Sequence, residues 1–110
     1  MNLGELISWL EAQDANMVVE DGFDSSHSDR GSYDELAFSP CKYTKIGDML
    51  ACAKKAVGSV ETGYKGGEFL MTEATPVLLG FYGTCGEPIT SATLKLWELT
   101  GKVPPEESNP

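Results

Sequence analysis

Residues 44–58, Thr44-Lys45-Ile46-Gly47-Asp48-Met49-Leu50-Ala51-Cys52-Ala53-Lys54-Lys55-Ala56-Val57-Gly58, decide the fold class. Ile46, Met49, Leu50, Ala53 and Val57 recur at i, i+3, i+4, i+7 and i+11, the spacing of a helix with one apolar face. Thr44 stands where a cap is needed. Lys54 and Lys55 fall in the last turns, where the helix dipole favours cations, and Gly58 supplies the C′ position. A helix with a single apolar stripe must cover something, and the short extended segments on either side predict a sheet beneath it.

Upstream, Leu3, Leu6, Ile7 and Leu10 repeat at helical spacing behind Asn2, a good N-cap, so a helix is expected over 3–13 with Trp9 beside its stripe. Met17-Val18-Val19 reads as a short strand ending at an Asp21-Gly22 turn. Residues 22–32, rich in Gly, Ser and Asp, read as a loop, and Tyr33 to Phe38 as a strand stopped by Ser39-Pro40. Downstream, Val60 to Tyr64 and Glu68 to Met71 are extended pieces flanking a Lys65-Gly66-Gly67 turn. Pro76 to Tyr82 is an apolar run of the length of a buried strand. Between Pro88 and Gly101, Ile89, Ala92, Leu96 and Leu99 fit a helix with Pro88 in its first turn, while Ala92, Leu94 and Leu96 also alternate as in a strand; the helix is favoured. The expectation is an α+β fold, a short and mainly antiparallel sheet packed against two or three helices. It forms a single domain over 1–103, with 104–110 a disordered tail.

The chain has 110 residues, enough for one core, and 41% hydrophobic with 23% charged residues is the composition of a folded protein. No apolar run nears the roughly 20 residues of a membrane helix, and Met1-Asn2-Leu3-Gly4-Glu5 lacks the features of a secretory signal. Cys41, Cys52 and Cys85 form no metal-type pair and read as reduced thiols, at least two of them in the core or half-buried, in a cytosolic protein. The net charge is −9, and residues 1–40 hold nine acids against Arg30 alone. With no basic stripe to release counterions, nucleic-acid binding is not expected.

Arg30 is the only arginine, and it stands beside His27 and Gly31 in Ser25-Ser26-His27-Ser28-Asp29-Arg30-Gly31-Ser32-Tyr33. A guanidinium next to a glycine, and the lysine of Tyr64-Lys65-Gly66-Gly67-Glu68-Phe69 next to two, suit an anion pocket, which needs converging donors and close backbone. Tyr33, Tyr64, Phe69, Phe81 and Tyr82 are candidates to stack on a base. Each feature has a plainer reading. Arg30 fixes a loop against Asp29 or Asp34, Lys65-Gly66-Gly67 is a hairpin turn, and the aromatics are core. Neither a Walker loop nor a dinucleotide fingerprint is present. A metal at His27 with Asp24 and Asp29, or a Cys–His nucleophile, needs a partner the sequence does not place. His27 is expected to cap a turn through Asp29 or Ser25, and no metal or cofactor is expected.

Residues 27–38 (HSDRGSYDELAF) and 62–71 (TGYKGGEFLM), separated by the amphipathic helix, resemble a group of small bacteriophage proteins that share RGxYxELAF and GYKGGEF motifs. The pattern also resembles the Thoeris anti-defence sponges of phages, which capture glycocyclic ADP-ribose; some of that family also sequester cyclic oligonucleotides. The resemblance covers about residues 3 to 83. It implies an oligomeric α+β protein of the host cytoplasm, without enzymatic activity, that binds a nucleotide second messenger between protomers. Arg30 and Lys65 would each take a phosphate, and Tyr33, Phe69 or Tyr82 a base, with Gly31, Tyr64, Gly66 and Gly67 completing the pocket. The alternative from a different class is an acidic inhibitor whose N-terminal third docks on a basic, nucleic-acid-binding protein of the host or its defence.

Overall fold

Asn2 starts the first helix by a reciprocal cap. Its side chain accepts from the Glu5 amide at 2.8 Å, and the Glu5 carboxylate accepts from the Asn2 amide at 2.9 Å. The helix α1 (Leu3–Glu11) buries Leu3, Leu6, Ile7 and Leu10, the expected stripe. It ends two residues earlier than the sequence reading, where the Ala12 amide donates to the Trp9 carbonyl. The computed structural model describes residues 1–29, 32–62, 68–80 and 86–101, apart from the side chains of 28, 29, 32–35, 61, 62, 68 and 69.

The largest departure from the sequence reading follows α1. The turn expected at Asp21-Gly22 and the expected loop, from residue 22 as far as 29, lie in a strand, β1 (Val18–Asp29); residues 30 and 31 are outside the described residues, and the partner strand β2 (Ser32–Lys45) runs straight through Ser39-Pro40. The two pair antiparallel, from Val18 opposite Lys45 to Asp29 opposite Ser32. Gly22 is there for packing, not turning. A Cβ at that position would lie 2.9 Å from both Met49 Sδ and Val19 Cγ2 and 3.0 Å from Thr44 Cβ. Pro40 faces Phe23 next to a register shift, since Phe23 pairs with Pro40 and Ser25 with Ser39, so Asp24 is an extra residue on β1. Proline is accepted in a sheet at such a bulge. A second irregularity lies where Ser28 pairs with Leu36 but Asp29 with Ser32, which inserts Tyr33, Asp34 and Glu35 into β2.

The decisive helix forms as α2 (Ile46–Ala56), with Ile46, Met49, Ala53 and Ala56 buried. Two details differ. Its N-cap is Lys45, because Thr44 belongs to β2 and its hydroxyl donates instead to the Cys41 carbonyl at 2.9 Å. Val57 follows the helix as its C-cap and is 37% exposed, so it leaves the inner stripe. Gly58 follows at φ 83°, as expected of the C′ residue.

After α2, β3 (Val60–Thr62) and β4 (Glu68–Leu70) pair antiparallel as a two-stranded sheet. Then β5 (Val77–Leu79) joins β2 in parallel, Leu36 opposite Val77 and Phe38 opposite Leu79. The short β6 (Glu87–Pro88) pairs antiparallel with β5 and gives the order β1-β2-β5-β6. Pro88 is thus in a strand and not in the first helical turn. The last helix, α3 (Ser91–Thr100), is capped by Thr90 and buries Leu94 and Trp97. This corrects the expected face, because Leu96 and Leu99 are exposed, Ala92 lies outside as well, and Ile89 is buried ahead of the helix. The fold class is α+β as expected, with one parallel pairing in the four-stranded sheet.

One core joins these elements. Phe23 stacks on Phe38 with ring centroids 4.2 Å apart and on Trp97 at 6.1 Å, and Trp97 meets Trp9 at 5.9 Å. The Trp97 indole donates to the Asp21 carbonyl at 3.0 Å, so the one polar atom of the buried ring has a partner. Leu36, Ala37 and Phe38 are fully buried in this core. That part of the Arg30 motif is explained by packing alone.

Candidate functional site

The residues singled out in the sequence stand at or beyond the described ends of strands. Arg30 and Gly31 lie between the paired residues Asp29 and Ser32 but outside the described residues, as do Tyr64, Lys65, Gly66 and Gly67 between Thr62 and Glu68. Phe81 and Tyr82 are also outside the described residues. Tyr33 is in β2 and Phe69 in β4, opposite Glu61. The Lys65-Gly66-Gly67 turn itself is outside, yet its flanks pair as the strands expected on either side of it.

What the structure does place is the framework these segments leave from. His27, in β1 and not in a turn, has its Nε2 2.8 Å from the Gly80 carbonyl oxygen, which ties the approach to Arg30 to the residue before Phe81. The Gly80 amide donates to the Phe38 carbonyl at 2.9 Å, so that residue is fixed to β2 as well. On another side of β1 lies β3, whose chain continues toward Tyr64. The Met71 amide donates to Ser59 and the Gly58 amide to Met71, at 2.8 and 2.7 Å, which closes the base of the β3–β4 pair.

Between β1 and the last turns of α2 lies a groove of about 360 Å³, lined among others by Asp24, Ser25, Ser26, Cys52, Lys55 and Ser59. The bulge explains its shape, since the extra residue Asp24 re-aims the strand there. Burial pushes the Cys52 thiol above its ordinary value; the charge of Asp24 adds to this and that of Lys55 opposes it. Cys52 therefore stays protonated at neutral pH and is a poor nucleophile. Ser59 Oγ donates to the Ala56 carbonyl at 2.7 Å. Little in the sequence signals this groove, because Asp24-Ser25-Ser26 has the composition of a loop and Cys52 and Lys55 sit on a helix read mainly for its core face.

Two other concavities are less suited to a ligand. One beside the start of α1 is lined by Asn2, Glu5, Ser8 and Glu73, and its amide donors are already used, Gly4 on the Glu73 carbonyl and Glu5 on Asn2. The other, beside α3, is lined by Leu79, Pro88, Leu96 and Trp97 with Asp21 and Glu87. Among the described residues, no group of three or more His, Cys, Asp or Glu side chains is placed to hold a metal. No helix among them is long and apolar enough to cross a membrane. No protein-family model, curated protein or solved structure matches the chain.

Proposed function

We propose that the chain captures a small anionic nucleotide without turning it over, as a phage anti-defence sponge acting in the host cytoplasm, with a second copy helping to enclose the ligand. The observation that carries this reading is the bond between His27 and the Gly80 carbonyl, together with β3 lying against β1. The strands that lead into Arg30, into Tyr64 to Gly67 and into Phe81-Tyr82 are neighbours, which supports a common pocket for a guanidinium, an ammonium and aromatic rings. Local donors are what an acidic protein needs to hold a phosphate, since its net charge of −9 repels anions at long range. Each charge-assisted hydrogen bond to phosphate contributes on the order of 1.5–3 kcal/mol and each stacked base about 1–3 kcal/mol, so four or five contacts suffice for nanomolar capture. Sequestration needs no catalytic group.

The test is calorimetry against ADP-ribose derivatives, cyclic di- and trinucleotides and NAD, followed by mass spectrometry of the recovered ligand. Tight binding, an unchanged molecule and loss of binding in Arg30→Ala with an unaltered circular dichroism spectrum are expected. A cleaved product would make the protein an enzyme. The exposure of Glu11, Asp14, Glu20, Asp21 and Asp24 favours a second reading, docking of this acidic surface on a basic protein. Binding to such a partner would fall steeply with ionic strength and survive Arg30→Ala.

A further inference from the structure

We infer that the groove between the β1 bulge and the end of α2 takes a neutral, hydroxyl-bearing ring, the ribose of a nucleotide; the identity of the ring's parent molecule rests on the capture reading above. Two opposite charges line this groove and do not meet. The ion pairs among the described residues are Lys42–Asp21 and Lys54–Glu11, so Asp24 and Lys55 face one groove without bridging each other. Both charges nonetheless act on the Cys52 thiol, which lines the same groove. Ser25 and Ser26 add two hydroxyls that, among the described residues, make no side-chain hydrogen bond within the protein.

A ligand seated there must satisfy a carboxylate, which only accepts, and an ammonium, which only donates. Phosphate would be repelled by Asp24 and by the carbonyl end of α2, and an ammonium ligand by Lys55. A hydroxyl does both jobs, and a cis-diol does so with adjacent atoms, one oxygen donating to Asp24 and the other accepting from Lys55. A carboxylate holding a ribose diol is a common solution in nucleotide sites. The volume of about 360 Å³ leaves ample room for a sugar ring. The repulsion by Asp24 would place the phosphates elsewhere, which matches cationic residues in separate segments of the sequence.

The experiment is an amide NMR titration of the wild-type protein with methyl β-D-ribofuranoside, its 2-deoxy analogue and acetamide, repeated in Asp24→Asn and Lys55→Met. The inference expects the riboside to shift Ser25, Ser26, Cys52 and Lys55, and the deoxy sugar to bind about tenfold more weakly. Either substitution should weaken the riboside by a similar factor, with unchanged thermal midpoints. Equal binding of sugar and deoxy sugar, or acetamide alone shifting these residues, overturns it. The two readings separate cleanly. Nucleotide binding that needs Arg30 but leaves the groove amides unmoved and is indifferent to Asp24→Asn sinks the groove assignment alone; riboside binding in a protein that holds no nucleotide sinks the capture reading alone.

Discussion

The missing side chain of Gly22 lets α2 sit down on β1, because a Cβ there would come within 2.9 Å of Met49 Sδ and of Val19 Cγ2. Gly22→Ala should therefore destabilise the fold by about 1–3 kcal/mol, the usual cost of overpacking, read as a lower midpoint in urea with unchanged slope. Cys52 offers a second check at this scale. Its value is raised from 9.0, so the native state keeps a proton that the unfolded chain loses as pH climbs. The associated stability is present below pH 9 and disappears as pH rises through the folded value. In a Cys41→Ser, Cys85→Ser background, iodoacetamide at pH 8 should react with Cys52 more slowly than with a free cysteine peptide. Asp24→Asn should speed that reaction and Lys55→Met should slow it; the same direction in both would contradict the groove as described.

Among the elements, α1 depends on its reciprocal cap, since Asn2 and Glu5 each satisfy the other's amide. Asn2→Ala should cost about 1 kcal/mol, measured by thermal or urea unfolding. The helices and the short strands were legible because their signals are local, as with the stripe of Ile46, Met49 and Ala53 or the apolar run at Val77–Leu79. The long hairpin was not legible, because Gly22, Ser25, Ser26 and Pro40 carry loop composition for reasons that exist only in three dimensions: a helix pressing on Gly22 and a bulge opposite Pro40. The inner face of α3 was misread for another reason. Leu94, Leu96, Trp97 and Leu99 spread round the helix, and the choice falls to Trp97, whose indole finds the Asp21 carbonyl. Of the candidate site, the cationic motifs were visible as residue types, whereas the groove needs α2 and β1 to meet before it exists.

For the molecule as a whole, charge sets the response to salt. Exposed ion pairs such as Lys54–Glu11 contribute little, whereas a net −9 repels itself. Raising ionic strength from 0.01 to 0.15 M shortens the screening length from about 30 to about 8 Å, so the thermal midpoint should rise by scanning calorimetry. A fall would mean that attractive pairs dominate. The hydrogen bonds from the Leu3 amide to the Thr75 carbonyl and from the Val77 amide to the Met1 carbonyl also set an order of events during synthesis. At about 5–20 residues per second, the ribosome makes the first turn of α1 roughly 4–15 s before its docking strand exists. For most of that interval, until α2 has also been made and can cover it, the greasy stripe Leu3, Leu6, Ile7 and Leu10 has no home in the nascent polypeptide, which makes α1 the segment a chaperone at the ribosome would shield.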